Sequence, residues 1–135
     1  VGLADPIALT IAVNAMYALE KIGVPEALIP LSEAIIYVCE APKSDSVILA
    51  LEGARSDAEQ YRDDDIPPYL KDNSYGGEQT KKQSEAYKYP HLYGGYVKQQ
   101  YLPDGLKNKK YYSPKDYGFE RQIKKIRVSK GMDEE

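Results

Sequence analysis

The sequence predicts an all-α protein: a helical bundle that continues into a tyrosine-rich irregular extension and closes with a C-terminal basic helix. Three observations carry this. Apolar residues recur at helical spacing over 5–22, 31–41 and 44–62; capping and stop residues bracket those stretches; and 66–112 follows neither the helical nor the strand period, with Pro67-Pro68 barring helix at its start.

The first helix is predicted from Asp5-Pro6, a carboxylate that can accept from free first-turn amides followed by a proline whose missing N–H was orphaned anyway. Its apolar arc, with Ile7, Ile11, Ala15, Leu19 and Ile22 at the centre, covers about half the circumference, so it needs several neighbours. Gly23 supplies the stop. Pro25 and Pro30 frame a turn before a second helix over 31–41, where Leu31, Ile35, Val38 and Cys39 share a face. Ser44 is the expected cap of a third helix reaching residue 62, with the stripe Val47, Leu51, Ala54, Ala58 and Tyr61. The expectation is three antiparallel helices, with Ile35 and Leu51 in the seam between them. Ser113-Pro114-Lys115-Asp116 reads as the start of a fourth, basic helix over 113–128.

With 135 residues the chain fits one domain. The expected organisation is a single helical domain over 1–128: a three-helix part at 1–62, the irregular extension at 63–112 and the closing helix at 113–128. Residues 129–135 are expected to be a disordered tail. Charge divides unevenly. Residues 1–60 hold three basic and nine acidic residues, whereas 61–135 hold 15 basic and 12 acidic, and 11 of the 13 tyrosines lie from Tyr61 to Tyr117. The whole chain, at net −3, has no general basic field, so contact with a polyanion would have to be local.

Several function classes are excluded letter by letter. No glycine is followed by lysine, so the phosphate loop G-x-x-x-x-G-K-[ST] is absent; so are G-x-G-x-x-G, H-E-x-x-H and G-x-S-x-G. One cysteine and one histidine exclude a disulfide framework and a Cys/His zinc site. A nucleophile pair would require Cys39 and His91; Cys39 is expected to be a small buried hydrophobe and His91 a structural or hydrogen-bonding group. Asp63-Asp64-Asp65 imitates the start of a calcium loop, but prolines occupy the place of its glycine turn, and Glu33 and Glu40 are expected to face solvent. No catalytic, cofactor-binding or metal residue is assigned. The apolar stretch 7–19 is too short to span a bilayer and no basic signal-peptide start precedes it, which fits a cytosolic setting. Because the chain begins Val-Gly-Leu and not with Met, it is expected to be a piece of a longer protein.

The most informative stretch is 87–103, where tyrosines alternate with Lys88 and Lys98. Aromatics interleaved with lysine suit single-stranded nucleic acid, and residues 81–127 hold 12 basic against four acidic groups. The competing reading has these rings pin an irregular segment onto the helices or a neighbouring subunit. Tyr89, His91, Tyr93, Tyr96, Lys98, Gln99, Gln100 and Tyr101 are the candidate subunit or partner contacts.

Val1-Gly2-Leu3-Ala4-Asp5-Pro6, Ile22-Gly23-Val24-Pro25-Glu26 with Ile29-Pro30-Leu31, and Ala41-Pro42-Lys43-Ser44 continue into Tyr87-Lys88-Tyr89 with His91, Gly94-Gly95, Gln99-Gln100-Tyr101-Leu102-Pro103, and Tyr112 with Pro114 and Gly118. In that order they resemble the C-terminal part of the replication-associated recombination protein A (RarA, also MgsA) family of AAA+ ATPases, related to the Werner-helicase-interacting ATPase. Leu92 and Tyr93, and the stretch 71–86, depart from its usual pattern. The resemblance implies a clamp-loader-like collar through which subunits associate, with homotetramers as its form and with ATP and Mg bound only in modules upstream; this chain, lacking a phosphate-binding loop, is not expected to be an enzyme. It further implies work in DNA replication, recombination and repair at stalled forks, in the cytoplasm with the nucleoid. The alternative function is a docking module for single-stranded DNA or single-strand-binding protein; an enzyme using Cys39 or His91 ranks third.

Overall fold

The structure, a computed structural model, describes residues 1–61, 66–71 and 87–133. Asp63-Asp64-Asp65 and the atypical run from 72 to 86 lie outside the described residues. Among the described residues there are four α-helices, α1 (Ile7–Ile22), α2 (Leu28–Glu40), α3 (Ser46–Ala58) and α4 (Gly118–Ser129), four short 3-10 turns and no strand. The all-α class is the one the sequence predicts. The chain divides into two compact units, Val1–Glu52 with Tyr111–Glu135, and Gly53–Lys110.

In the first unit α1 begins where Asp5 Oδ1 accepts the Ile7 amide at 3.0 Å and ends at Gly23, whose amide donates to Leu19 at 3.0 Å. The second Asp5 oxygen accepts the Tyr37 hydroxyl at 2.9 Å, tying α1 to α2. Helix α2 starts three residues earlier than expected. Pro30 does not break it, because within the first turn its missing N–H costs no intrahelical bond. At the other end Lys43 Nζ donates to the carbonyls of Val38 at 2.8 Å and Cys39 at 3.1 Å, capping otherwise orphaned acceptors. The Ser44 hydroxyl accepts the Ser46 amide at 3.2 Å, so Ser44 does serve the start of α3.

The interior is small. Every buried residue from Val1 to Tyr61 is an alanine, Ser46 excepted: Ala4, Ala8, Ala15, Ala27, Ala34 and Ala41. Helices α1 and α2 pack through this alanine seam. Alanine permits close axial approach but fills little volume. The expected three-helix seam is corrected here: α3 forms no comparable packing with α1 or α2, and Ile35 and Leu51 are 57% and 66% exposed. Cys39, expected to be buried, is exposed as well.

Helix α4 starts at Gly118, five residues after the predicted cap. Gly118 adopts φ +58°, and a Cβ there would collide with the Ala4 carbonyl, so glycine is required by both conformation and close main-chain approach. Residues 113–117 are instead held irregular by tertiary bonds: the Lys115 amide donates to Glu120 at 3.3 Å and its ammonium pairs with Asp45 at 2.9 Å. Residues 130–133 follow α4 within the stretch expected as a tail. They fold back on α4, with Gly131 at φ +65°, the Met132 amide on Arg127 O at 2.9 Å and Asp133 paired with the Arg127 guanidinium.

In the second unit Leu106 and Pro67 are buried. The Tyr69 hydroxyl donates to the Gln100 carbonyl, Gln100 Nε2 donates to Asp104 Oδ1 at 2.7 Å, and Lys109 pairs with Asp57 at 3.1 Å. The Tyr61 hydroxyl abuts the α-carbon of Gly105, where a Cβ would have no room.

Candidate functional site

Two features stand out once the elements are placed: an uncovered apolar surface on the first unit and a knitted aromatic segment in the second. The apolar surface follows from the alanine seam. With small residues turned inward, the large ones on α1, α2 and α3 face out, including Leu9 at 72% exposure, Ile29 at 76%, Met16, Ile36, Ile48 and Leu49. On α2, Ile29, Glu33, Ile36 and Glu40 line one groove while Leu31, Ile35, Val38 and Cys39 line another with Ala12, Met16 and Leu19 of α1. Those two sets lie about half a turn apart around the helix. Glu33 and Glu40 are exposed, as expected of solvent-facing carboxylates.

A polar cluster holds this unit together, and it was not anticipated. Glu120 is fully buried on α4 and accepts from four donors: the Ser44 hydroxyl at 2.7 Å, the Ser46 hydroxyl, the Tyr112 hydroxyl at 3.1 Å and the Lys115 amide. Burial works against its charge, yet these donors outweigh it and hold the carboxyl below its usual range. Tyr112 moves the other way, pushed up to about 12 by burial and by the hydrogen bond to Glu120. The arrangement is a satisfied structural node and offers no free base. The sequence signal that could have found it is weak: Ser44-x-Ser46 lies more than 70 residues from its partner.

The 87–101 segment is shaped by its own polar groups. Gln99 Oε1 accepts the Lys88 amide at 3.1 Å, while its Nε2 donates to the Lys88 carbonyl at 3.0 Å and to the Tyr101 hydroxyl at 2.9 Å. A 3-10 turn, Pro90–Tyr93, ends at Gly94 in the left-handed region, and the Gly95 amide closes it on Pro90 O at 2.9 Å. Tyr89 and His91 place their ring centroids 4.9 Å apart. The candidates therefore fall into groups: Gln99 and Tyr101 clamp the segment beside Lys88, Gln100 turns to Asp104, Tyr96 is half-buried, and Tyr89, His91, Tyr93 and Lys98 are exposed. Cys39 and His91 belong to different units and form no nucleophile pair within either. Among the described residues no three His, Cys, Asp or Glu side chains converge to hold a metal ion, and no helix is long and apolar enough to cross a membrane.

These features sit in a chain with clear relatives. Residues 1–130 match the family described as MgsA AAA+ ATPase C terminal. The chain is 48% identical over 128 residues to the replication-associated recombination protein A of Bacillus subtilis, covering 93% of this chain and 30% of that protein. It is 33% identical over 131 residues to the protein of the same name from Escherichia coli K12, covering 91% of this chain and 28% of the relative. ATPase WRNIP1 of Dictyostelium discoideum matches at 30% over 125 residues, or 85% of this chain and 13% of that protein. The chain thus spans less than a third of the length of these relatives. It belongs to the MgsA AAA+ ATPase C-terminal family.

Proposed function

We propose that this chain is the homo-oligomerisation module of a AAA+ ATPase acting in replication-associated recombination, and that its occupant is further copies of itself. The observation that carries the reading is the inversion of the first unit, alanine inside and large aliphatics outside. Fifteen large apolar residues from Ile7 to Leu51 are exposed. Fully burying such a side chain removes about 60–120 Å² from water, so half-exposed ones offer about 50 Å² each and about 800 Å² together, one side of a standard interface. Apolar grooves on opposite faces of α2 support contact with more than one neighbour, hence a closed assembly and not an isolated pair; a homotetramer is the form proposed. The names of the relatives support a setting in replication-associated recombination; the cytoplasm, with the nucleoid, is the location proposed.

The residues here do not fit ATP with Mg, since the Gly-Lys phosphate cradle is missing throughout; on this reading the nucleotide belongs to the rest of the protein. Light scattering at several concentrations tests assembly. The expected result is a mass several times that of one chain; a monomer at high micromolar concentration overturns the reading. Nucleotide titration followed by thermal shift is expected to give no saturable response.

A further inference from the structure

We propose that the acidic apolar stripe of α2 docks onto the basic apolar stripe of α4 in a neighbouring copy. This rests on the self-association proposed above and names the faces that meet. Both stripes belong to the first unit. On α2, Ile29, Glu33, Ile36 and Glu40 share one side of the helix and line a groove to which α4 of the same chain contributes no residue. On α4, Phe119 and Ile126 are 40% and 52% exposed, with Gln122 exposed between them and Arg121 and Lys125 exposed along one edge. Within its own chain α4 packs on residues 2–4 instead, where Gly118 meets Ala4.

Spacing and charge select this pairing. Ile29 and Ile36 are seven residues apart, as are Phe119 and Ile126. Each apolar pair therefore spans two turns, about 10.5 Å, and the two can interleave along aligned helices. The charges beside them are not answered within the chain. Glu33, Glu40, Arg121 and Lys125 make no ion pair among the described residues. The opposite charges nearest in sequence are already engaged: Lys43 caps the carbonyls of Val38 and Cys39, Asp116 pairs with Lys124 at 2.7 Å, and Asp133 pairs with Arg127. Two α2 stripes face to face would oppose carboxylates, and two α4 stripes would oppose cations. Only the mixed contact brings Arg121 and Lys125 to Glu33 and Glu40. Because the stripes are different surfaces, each copy can offer α4 to one neighbour while its own α2 receives another.

Two charge-reversed forms of the 135-residue chain test this by sedimentation velocity: Glu33→Lys with Glu40→Lys, and Arg121→Glu with Lys125→Glu. Each alone is expected to associate about 10- to 100-fold more weakly than the wild type. Helical circular dichroism should persist in both, because all four positions are exposed. An equimolar mixture of the two should restore the wild-type mass, since reversed α2 then meets reversed α4 on a different chain. Wild-type mass in either form alone, or a mixture that stays dissociated, overturns the proposal. If a reversed form unfolds, Glu33→Gln with Glu40→Gln and Arg121→Gln with Lys125→Gln replace it. These should weaken association several-fold and lose less affinity than the wild type between about 50 and 500 mM salt; unchanged affinity overturns the proposal equally. A monomeric wild type removes both proposals, whereas an assembled wild type whose variants assemble as well removes this one and leaves self-association standing.

Discussion

Two regions of the first unit divide the work of folding differently. Along α1 and α2 the seam is alanine, which sets distance but contributes little burial, and the side chains that could form a substantial core face outward. Around Glu120 the reverse holds: a charged residue takes an interior position and draws donors from Ser44, Ser46, Tyr112 and Lys115. The first region is poor in stabilisation and rich in uncovered apolar surface; the second is small, directional and intolerant of loss. The polar node thus specifies the unit's geometry, and on the function proposed above the helix faces are left for association.

The comparison breaks most sharply at Glu120. Glu120→Ala leaves three hydroxyls and an amide without their acceptor and is expected to cost about 3–5 kcal/mol in chemical denaturation. Acid should do the same by degrees. Because the folded carboxyl titrates below its unfolded value, its contribution is fully present above the unfolded pKa and is lost as pH falls through the lowered folded one. Denaturant midpoints measured from neutral pH to below 4.5 should therefore fall in the wild type, and fall less in Glu120→Gln, whose side chain does not titrate there.

Gly118→Ala comes next, at about 2–4 kcal/mol by thermal melting, since it adds strain at positive φ to a collision with the Ala4 carbonyl. On the helix faces the outcome should differ in kind. Ile35→Asp and Leu51→Asp lie on exposed positions and are expected to lower the mass seen by light scattering while helical circular dichroism of the separated chain persists. Loss of helix without any separated, folded chain would return these residues to an intramolecular seam.

Local signals in the sequence were legible where a bond spans few residues. Asp5 and Gly23 act at the ends of α1 as their chemistry predicts. Periodicity could not choose the inward face of α1, because an apolar arc over half the circumference leaves alanine and leucine equally eligible. Pro30 misled because a proline reads the same before a helix as within its first turn. The start of α4 depended on Ala4 lying against Gly118, and the Glu120 node on serines more than 70 residues away; neither is encoded in local pattern. In the tyrosine-rich segment the interleaving of rings and lysines was plain, but the side-chain amide that organises it was not, since Gln99 is one of two adjacent glutamines with different partners.

That last point yields the smallest and most local prediction. Gln99 pairs with both polar groups of the Lys88 main chain much as a neighbouring strand would, and it does so from an only half-buried position. Water can replace these bonds at modest cost, so Gln99→Ala should lower global stability by only about 0.5–1.5 kcal/mol. Its effect should instead concentrate at Lys88, whose amide is expected to exchange with solvent several-fold faster. Gln100→Ala is the control: its amide serves Leu102 and Asp104, so protection at Lys88 should survive. If Lys88 exchanges equally fast in both variants, the segment is held by its turn and prolines and not by the clamp, and the Glu120 node stands alone as the polar counterpart of the alanine seam.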